Sequence, residues 1–328
     1  MAIWTSVENN AFDISVNEAC SNQLKINQKG VKKVLISTVV SYPDRNNRYG
    51  NNRYRGNCSG ELIKDLLERY TPKKAYDPMV GGGTFIDVCA ELGVNCIYTD
   101  LNPKYGGWDA LNDEVPESSD FIFWHPPYHD IIQYSGNMYG HEPDPRDLSR
   151  CGSYEEFIKK INIVQAKLLT SLRKNGRIAI LVGDIKKAGV LYSMQKDMDW
   201  YGSPEQVVIK SQFNCHSDNK VYSNNNFIRI MHEYLLIFKR SDCYLIPVKV
   251  TKQVMIDLRQ SEKITWRDVV LAAMEALGGK ASLEQLYKEI EGHKKTKTNN
   301  NWKEKIRQVV RTYKEFEEVD RGRYCMAA

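Results

Sequence analysis

Residues 75–93, AYDPMVGGGTFIDVCAELG, constrain the fold more than any other stretch. A short apolar run meets three glycines and then a segment with helical apolar spacing, which reads as strand, tight turn and helix. Glycines at such a turn let the backbone bend sharply and let a ligand approach it closely. The same alternation recurs downstream. NCIYTD (95–100) and DFIFW (120–124) read as strands, and YEEFIKKINIVQAKLLTSLRKNG (154–176) as one long amphipathic helix stopped at Asn-Gly. RIAILVGD (177–184) reads as a parallel strand buried on both faces, from its unbroken apolar run. Upstream, VKKVLISTVV (31–40) reads as a strand, and ELIKDLLERY (61–70) as a helix capped by Ser59 and ended by Pro72. QVVIKSQF (206–213) and EYLLIFKR (233–240) flank an Asn/Ser-rich insert and read as an antiparallel pair at a sheet edge. The pattern predicts an α/β sandwich around a mostly parallel sheet, ending near residue 248.

The tail differs. TWRDVVLAAMEALG (265–278), SLEQLYKEIEG (282–292) and WKEKIRQVVRTY (302–313) read as three helices, the second opened by a Ser282/Gln285 capping box. A hairpin with Gly322 in its turn follows. Three helices and a hairpin make a winged-helix reading. The expected organisation is a domain over 1–248, a linker over 249–262 and a small domain over 263–328. Residues 252–328 hold 16 Lys/Arg against 12 Asp/Glu, a net of +4. The whole chain carries +5, which permits a polyanionic partner without requiring one.

Composition narrows the classes. The 328 residues have no apolar run long enough for a membrane span, and the first ten residues lack the basic start and apolar stretch of a signal peptide. Eight scattered cysteines form no CxxC pair, which points away from a zinc ribbon or a dense disulfide framework. A reducing cytoplasm is the expected compartment, with no membrane partner and no metal.

Two motifs carry chemistry. In the first, Asp77 and Pro78 lead into Gly81, Gly83 and Thr84, and Asp100 ends the next strand 23 residues after Asp77. A carboxylate there suits ribose hydroxyls, so turn and acid together point to a nucleoside cofactor. In the second, Trp124-His125-Pro126-Pro127-Tyr128 follows strand DFIFW directly. Two prolines in series remove two backbone donors and fix the turn, and Tyr128 offers a ring face for stacking.

The order and separation of the two motifs resemble the DNA methyltransferases that modify exocyclic amines, the N6-adenine and N4-cytosine class. The resemblance covers roughly residues 35–240 and implies a Rossmann-like methyltransferase sandwich using S-adenosylmethionine. By this likeness Asn57, Cys58 and Ser59 line the methionine end of the cofactor with Asp77 and the glycines. Asp100 then holds the ribose, and Asp109 lies near the adenine amine. His125, Pro126, Pro127 and Tyr128 form the catalytic motif, with Tyr128 stacking on a flipped base. Tyr134 and Ser135 border the base pocket.

This chain has His125 where the family has Asp, Asn or Ser. The target nitrogen is a poor nucleophile because its lone pair is delocalised into the ring. Hydrogen bonds from its N–H groups to the motif's side chain and to a proline carbonyl favour the pyramidal, nucleophilic form. Neutral imidazole accepts such a bond and imidazolium does not. With an ordinary pKa near 6.5, the expected activity falls at acidic pH.

The expected partner is double-stranded DNA, with a cognate restriction endonuclease as a partner to look for. Arg45, Arg48, Arg53 and Arg55, interleaved with tyrosines, are expected at phosphates. The Asn-rich insert 214–227 is a second candidate for DNA contact. Lys303, Arg307 and Arg311 form a basic stripe on the third tail helix. Adenine N6 is favoured, and cytosine N4, an RNA amine and a non-enzymatic DNA-binding regulator stay open.

Overall fold

The computed structural model describes residues 35, 37–43, 47–213, 228–242, 245–252 and 264–327. The chain divides into two compact units, Met1–Thr251 and Lys252–Ala328. Arg45, the insert 214–227 and most of the expected linker lie outside the described residues. No helix among the described residues is long and apolar enough to cross a membrane.

In the first unit the chain runs β1 (Val39–Ser41), α1 (Gly60–Tyr70), β2 (Ala75–Asp77), α2 (Thr84–Leu92), β3 (Cys96–Tyr98), β4 (Phe121–Trp124) and α3 (Tyr154–Ser171). It continues through β5 (Arg177–Lys187), β6 (Val190–Ser193), α4 (Met194–Asp197), β7 (Trp200–Tyr201), β8 (Ser203–Ser211), β9 (His232–Lys239) and β10 (Val248–Lys249). The main sheet has the order β1-β8-β9-β5-β4-β2-β3. β3, β2, β4 and β5 are mutually parallel, and β9 is antiparallel to both β5 and β8. This is the Rossmann-like α/β sandwich with its antiparallel pair. β1 adds a parallel strand outside that pair. β10 pairs with β7, so ordered structure reaches residue 249, where the linker was expected to begin.

Strand alternation builds the two cores. In β4, Ile122 and Trp124 enter one cluster and Phe121 and Phe123 the other. In β5, Ile178, Ile180 and Val182 face the first cluster, and Ala179 and Leu181 face the second. Successive side chains of a strand point to opposite faces, so a strand covered on both sides must be apolar throughout. α3 covers the first face through Phe157, Ile161, Val164 and Leu168. α1 and α2 cover the second through Leu62, Leu66, Phe85 and Val88. The i, i+3 and i, i+4 spacings within the helices are what make one stripe apolar.

Two local expectations change. Ser59 occupies the N-cap position of α1, but its side chain makes no capping hydrogen bond. Asp184 was expected to end β5; the strand instead runs three residues further and folds back as the β5–β6 hairpin, with Asp184 opposite Ser193.

The second unit contains α5 (Trp266–Ala276), β11 (Lys280–Ser282), α6 (Leu283–Ile290), α7 (Lys294–Lys297), α8 (Trp302–Thr312), β12 (Phe316–Asp320) and β13 (Arg323–Met326). Its three strands form an antiparallel sheet in the order β11-β13-β12. Val270, Met274, Leu286 and Ile306 are fully buried at its centre. The capping box at Ser282 and Gln285 forms, and Thr265 with Asp268 makes a second one. The short strand β11 and the turn of helix α7 have no counterpart in the sequence reading.

Candidate active site

Parallel pairing sets the ends of β2, β3 and β4 side by side, with Asp77 opposite Tyr98 and Tyr76 opposite Ile122. The loops that leave these ends therefore share one edge of the sheet, where open α/β sheets bind ligands. A cleft of about 810 Å³, solvent at its mouth included, lies there.

The glycine turn forms one wall. Gly81 and Gly83 have φ of +49° and +86°, left-handed values that side chains resist. A Cβ on Gly81 would also come within 2.9 Å of the Tyr54 ring. Asp77 Oδ1 accepts the Met79 N–H at 2.9 Å. Its Oδ2 takes no hydrogen bond among the described residues. Asp100 accepts the Gly81 N–H at 2.9 Å and the Asn102 N–H at 2.8 Å, tying the end of β3 to the turn after β2. Both carboxylates are buried. Burial pushes Asp77 well above the usual carboxylate range, against the Met79 N–H and reinforced by Asp100. Burial also raises Asp100, against its two backbone donors. Two carboxylates held at the mouth of a cleft gain from a cationic or hydroxyl-bearing ligand, because such a ligand restores what burial removed.

The second wall is the segment 47–58, which docks on the glycine turn. The Asn51 N–H donates to Gly82 O at 2.8 Å, the Gly50 N–H to Asp87 at 2.7 Å, and the Thr84 hydroxyl to Asn57 Oδ1 at 2.6 Å. Tyr54 stacks on Tyr134 with ring centroids 5.7 Å apart and an interplanar angle of 23°. Glu91 gathers Arg48, Lys64 and the Tyr49 hydroxyl, and these partners lower its carboxyl to about 2.

The third wall is the turn after β4. Trp124 is fully buried and its indole N–H donates to Met79 Sδ at 3.3 Å, joining this turn to the first motif. His125 Nε2 lies 3.1 Å from the Tyr128 hydroxyl. That hydroxyl donates to Glu233 at 2.7 Å, and Lys210 donates to the same carboxylate at 2.6 Å. Burial pushes the His125 imidazole down to about 4; Glu233 opposes the shift and Lys210 adds to it. The protonation of the ring expected near 6.5 therefore moves well below that pH, because the imidazole is buried.

Nine of the expected site residues come together around the cleft: Asn57, Cys58, Asp77, Pro78, Gly81, Thr84, Asp100, His125 and Pro127. Five do not line it. Ser59 is buried at the start of α1. Gly83 caps α2 from behind, its N–H bound to Val80 O. Pro126 is buried in the turn. Asp109 binds the Leu111 and Asn112 N–H groups and the Asn112 side chain, so its carboxylate closes its own turn. Tyr128 has its hydroxyl on Glu233 and its ring over Gly183, beside the cleft and not in its lining.

Tyr134 does line the cleft, as does Tyr54, read only as an aromatic neighbour of the loop arginines; Trp108, Tyr139, Arg146 and Asp147 line it too and were missed by the sequence reading. Asp147 accepts from Ser135 and Ser149 and folds the loop after Tyr134 into place. Nothing in the local sequence marks that loop, since its geometry depends on the bond from Ser135 to Asp147, 12 residues away. Glu233 and Lys210, read as ordinary strand residues, stand behind the His-Pro-Pro-Tyr turn.

Of the basic residues expected at DNA, Arg48 is turned onto Glu91, while Arg53 and Arg55 are exposed. In the second unit Lys303, Arg307 and Arg311 are exposed on α8. Lys303 and Arg307 both lie over the Tyr287 ring, and Arg307 donates to the Tyr287 hydroxyl at 2.7 Å.

No family model and no curated protein matches the chain. Several solved structures align with it at low similarity. TrmN from Thermus thermophilus is 16% identical over 57% of this chain and 50% of its own, with a TM-score of 0.33. The N-methyltransferase NodS from Bradyrhizobium japonicum, in complex with S-adenosyl-l-homocysteine, is 10% identical over 58% of this chain and 90% of its own, with a TM-score of 0.34. A candidate DNA modification methylase from Thermus thermophilus is 12% identical over 61% of this chain and 63% of its own, with a TM-score of 0.26. Likeness of this degree assigns no function, which rests on the cleft itself.

Proposed function

We propose that the chain is an S-adenosylmethionine-dependent DNA methyltransferase acting on the exocyclic amine of a flipped base, adenine N6 in preference to cytosine N4. One observation carries the reading. Asp77, the glycine turn, Asp100 and the His-Pro-Pro turn, far apart in sequence, meet around a single cleft at one edge of the sheet.

The residues fit the cofactor. Asp77 offers an unengaged carboxylate oxygen to an ammonium group, and Asp100 offers the outer lone pairs of its oxygens to ribose hydroxyls. Gly81 and Gly82 let Tyr54 and Asn57 pack closely on the turn, where a Cβ on either glycine would meet them. When bound, the cofactor supplies a methyl group made electrophilic by its sulfonium. The chain's own part is to bind, orient and keep water out. His125, uncharged at neutral pH, accepts a hydrogen bond from the target amine and favours its nucleophilic geometry. Tyr134 and Tyr139 border the space for the base, a role the sequence reading gave to Tyr128. Duplex DNA hides the amine, so the base must leave the stack to reach this space.

Arg53 and Arg55 serve phosphate contact near the cleft. The second unit has the order helix, strand, helix, helix, hairpin, which supports a winged-helix reading with α8 at DNA. Lys303 and Arg307 then present charge from a platform fixed by Tyr287, and Arg311 extends the stripe.

The test is transfer of labelled methyl from S-adenosylmethionine to mixed genomic DNA, digested to nucleosides and resolved by mass. The expected product is N6-methyladenine. N4-methylcytosine would reassign the base, and transfer to structured RNA alone would overturn the DNA reading.

The pH profile gives a second expected result. With its imidazole titrating near 4, His125 stays uncharged and the transfer rate stays level from about pH 5.5 to 8. The sign for stability follows from the same shift. The unfolded ring takes its proton near 6.5 and the folded ring near 4, so the fold loses stability as pH falls between these values. A rate that halves near pH 6.5 would mean a solvated ring with its ordinary pKa and would overturn the buried setting described for His125.

A further inference from the structure

Lys210 on β8 and Glu233 on β9 are cross-strand partners, and both are buried. A buried ion pair is a poor way to stabilise a fold, because desolvation offsets most of the attraction and apolar replacements often serve as well. This pair has a further connection. Gly183 on β5 lies opposite Glu233, and a Cβ there would meet the Tyr128 ring at 2.8 Å. The missing side chain is the opening through which Tyr128 reaches Glu233.

The hydrogen-bond directions along this chain are forced. The Lys210 ammonium donates to Glu233 Oε2, and the Tyr128 hydroxyl donates its only proton to Oε1. Burial alone would raise the Glu233 carboxyl, but Lys210 and the Tyr128 hydroxyl outweigh it and hold the group below its usual value, so it is ionised and only accepts. The Tyr128 oxygen, its proton committed, must then accept at 3.1 Å from His125 Nε2–H. A neutral imidazole with its proton on Nε2 carries its lone pair on Nδ1. Nδ1 takes no hydrogen bond among the described residues, and His125 lines the cleft.

We infer that Lys210, Glu233 and Tyr128 are positioning residues which fix His125 in its Nε2–H form, so that Nδ1 is the acceptor for the target amine. The inference rests on the amine-methylation reading above. It explains how a histidine can stand where Asp, Asn or Ser offers an oxygen acceptor: a lone imidazole exchanges tautomers, and one of its two neutral forms would present a donor to the amine. As the N–C bond forms and the S–C bond breaks, the bonding pair stays on sulfur. The surplus proton on the amine passes to Nδ1 and then to solvent, which restores the ring.

The test uses the full chain, labelled with 15N at histidine, with His125 assigned by the signal lost in His125→Gln. Long-range 1H–15N spectra near neutral pH are expected to show a protonated Nε2 and an unprotonated Nδ1. Tyr128→Phe keeps the ring and removes only the hydroxyl. It is expected to let the tautomers mix and to lower kcat about tenfold with KM for DNA unchanged. An Nδ1–H ring in the unaltered chain overturns the inference, as does a Tyr128→Phe chain with unchanged tautomer or unchanged kcat. An Nε2–H ring in a chain that methylates neither DNA nor RNA overturns the reading of the reaction, while the hydrogen-bond chain itself stands.

Discussion

Asp77→Ala lowers the affinity for S-adenosylmethionine and S-adenosylhomocysteine by about 10- to 100-fold, the scale of a single charge-assisted hydrogen bond. The prediction follows from the position of one oxygen. Oδ1 is committed to the Met79 N–H, whereas Oδ2 is not engaged and the residue faces the cleft. An ammonium placed there gains a charge-assisted bond in surroundings poor in water, where such bonds are strong. Titration calorimetry with S-adenosylhomocysteine measures the drop without requiring turnover. Asp77→Asn keeps the acceptor for Met79 and is expected to lie between wild type and alanine. Unchanged affinity in the alanine variant would place the methionine end elsewhere and reopen the assignment of the glycine turn.

His125→Ala acts on the other half of the site. It is expected to lower kcat for methyl transfer to DNA by about 100- to 1000-fold, the range seen when a single preorganised hydrogen-bond partner is removed from a reacting centre. Cofactor affinity is expected to hold, because the residues assigned to the cofactor belong to the ends of β2 and β3 and to the segment before α1, not to the turn after β4. Single-turnover rates with saturating cofactor and DNA separate the two effects. A variant that loses cofactor binding and turnover together would mean that His125 shapes the whole cleft instead of serving the amine.

Much of the site could be read in the chain because its parts are local. A strand, three glycines and a helix leave a continuous signature, and so do two prolines after an apolar strand. Both motifs hold their conformation through their own backbone restrictions, so neighbouring residues suffice to recognise them. Asp100 was legible for a similar reason, as the acid at the end of the next strand. Asp109 was assigned by resemblance alone, and its carboxylate closes a local turn instead. Tyr128 was read as a ring face for stacking on a base. Its real orientation depends on an absent side chain at Gly183 and a carboxylate 105 residues away.

The sequence by itself determined the order of the main strands and helices, the two-faced burial of β4 and β5, and the residues of the two motifs. Those features follow from periodicity and from the stiffness of Gly and Pro turns, which act over a few residues. Only the tertiary structure decided which side chains meet. It brought the Lys210–Glu233 pair behind His125, stacked Tyr54 on Tyr134 and turned Arg48 onto Glu91. It also moved the His125 imidazole away from its ordinary pKa, since burial depends on every element packed around the ring. Meetings between residues distant in the chain are set by strand order and register, and no local pattern encodes those.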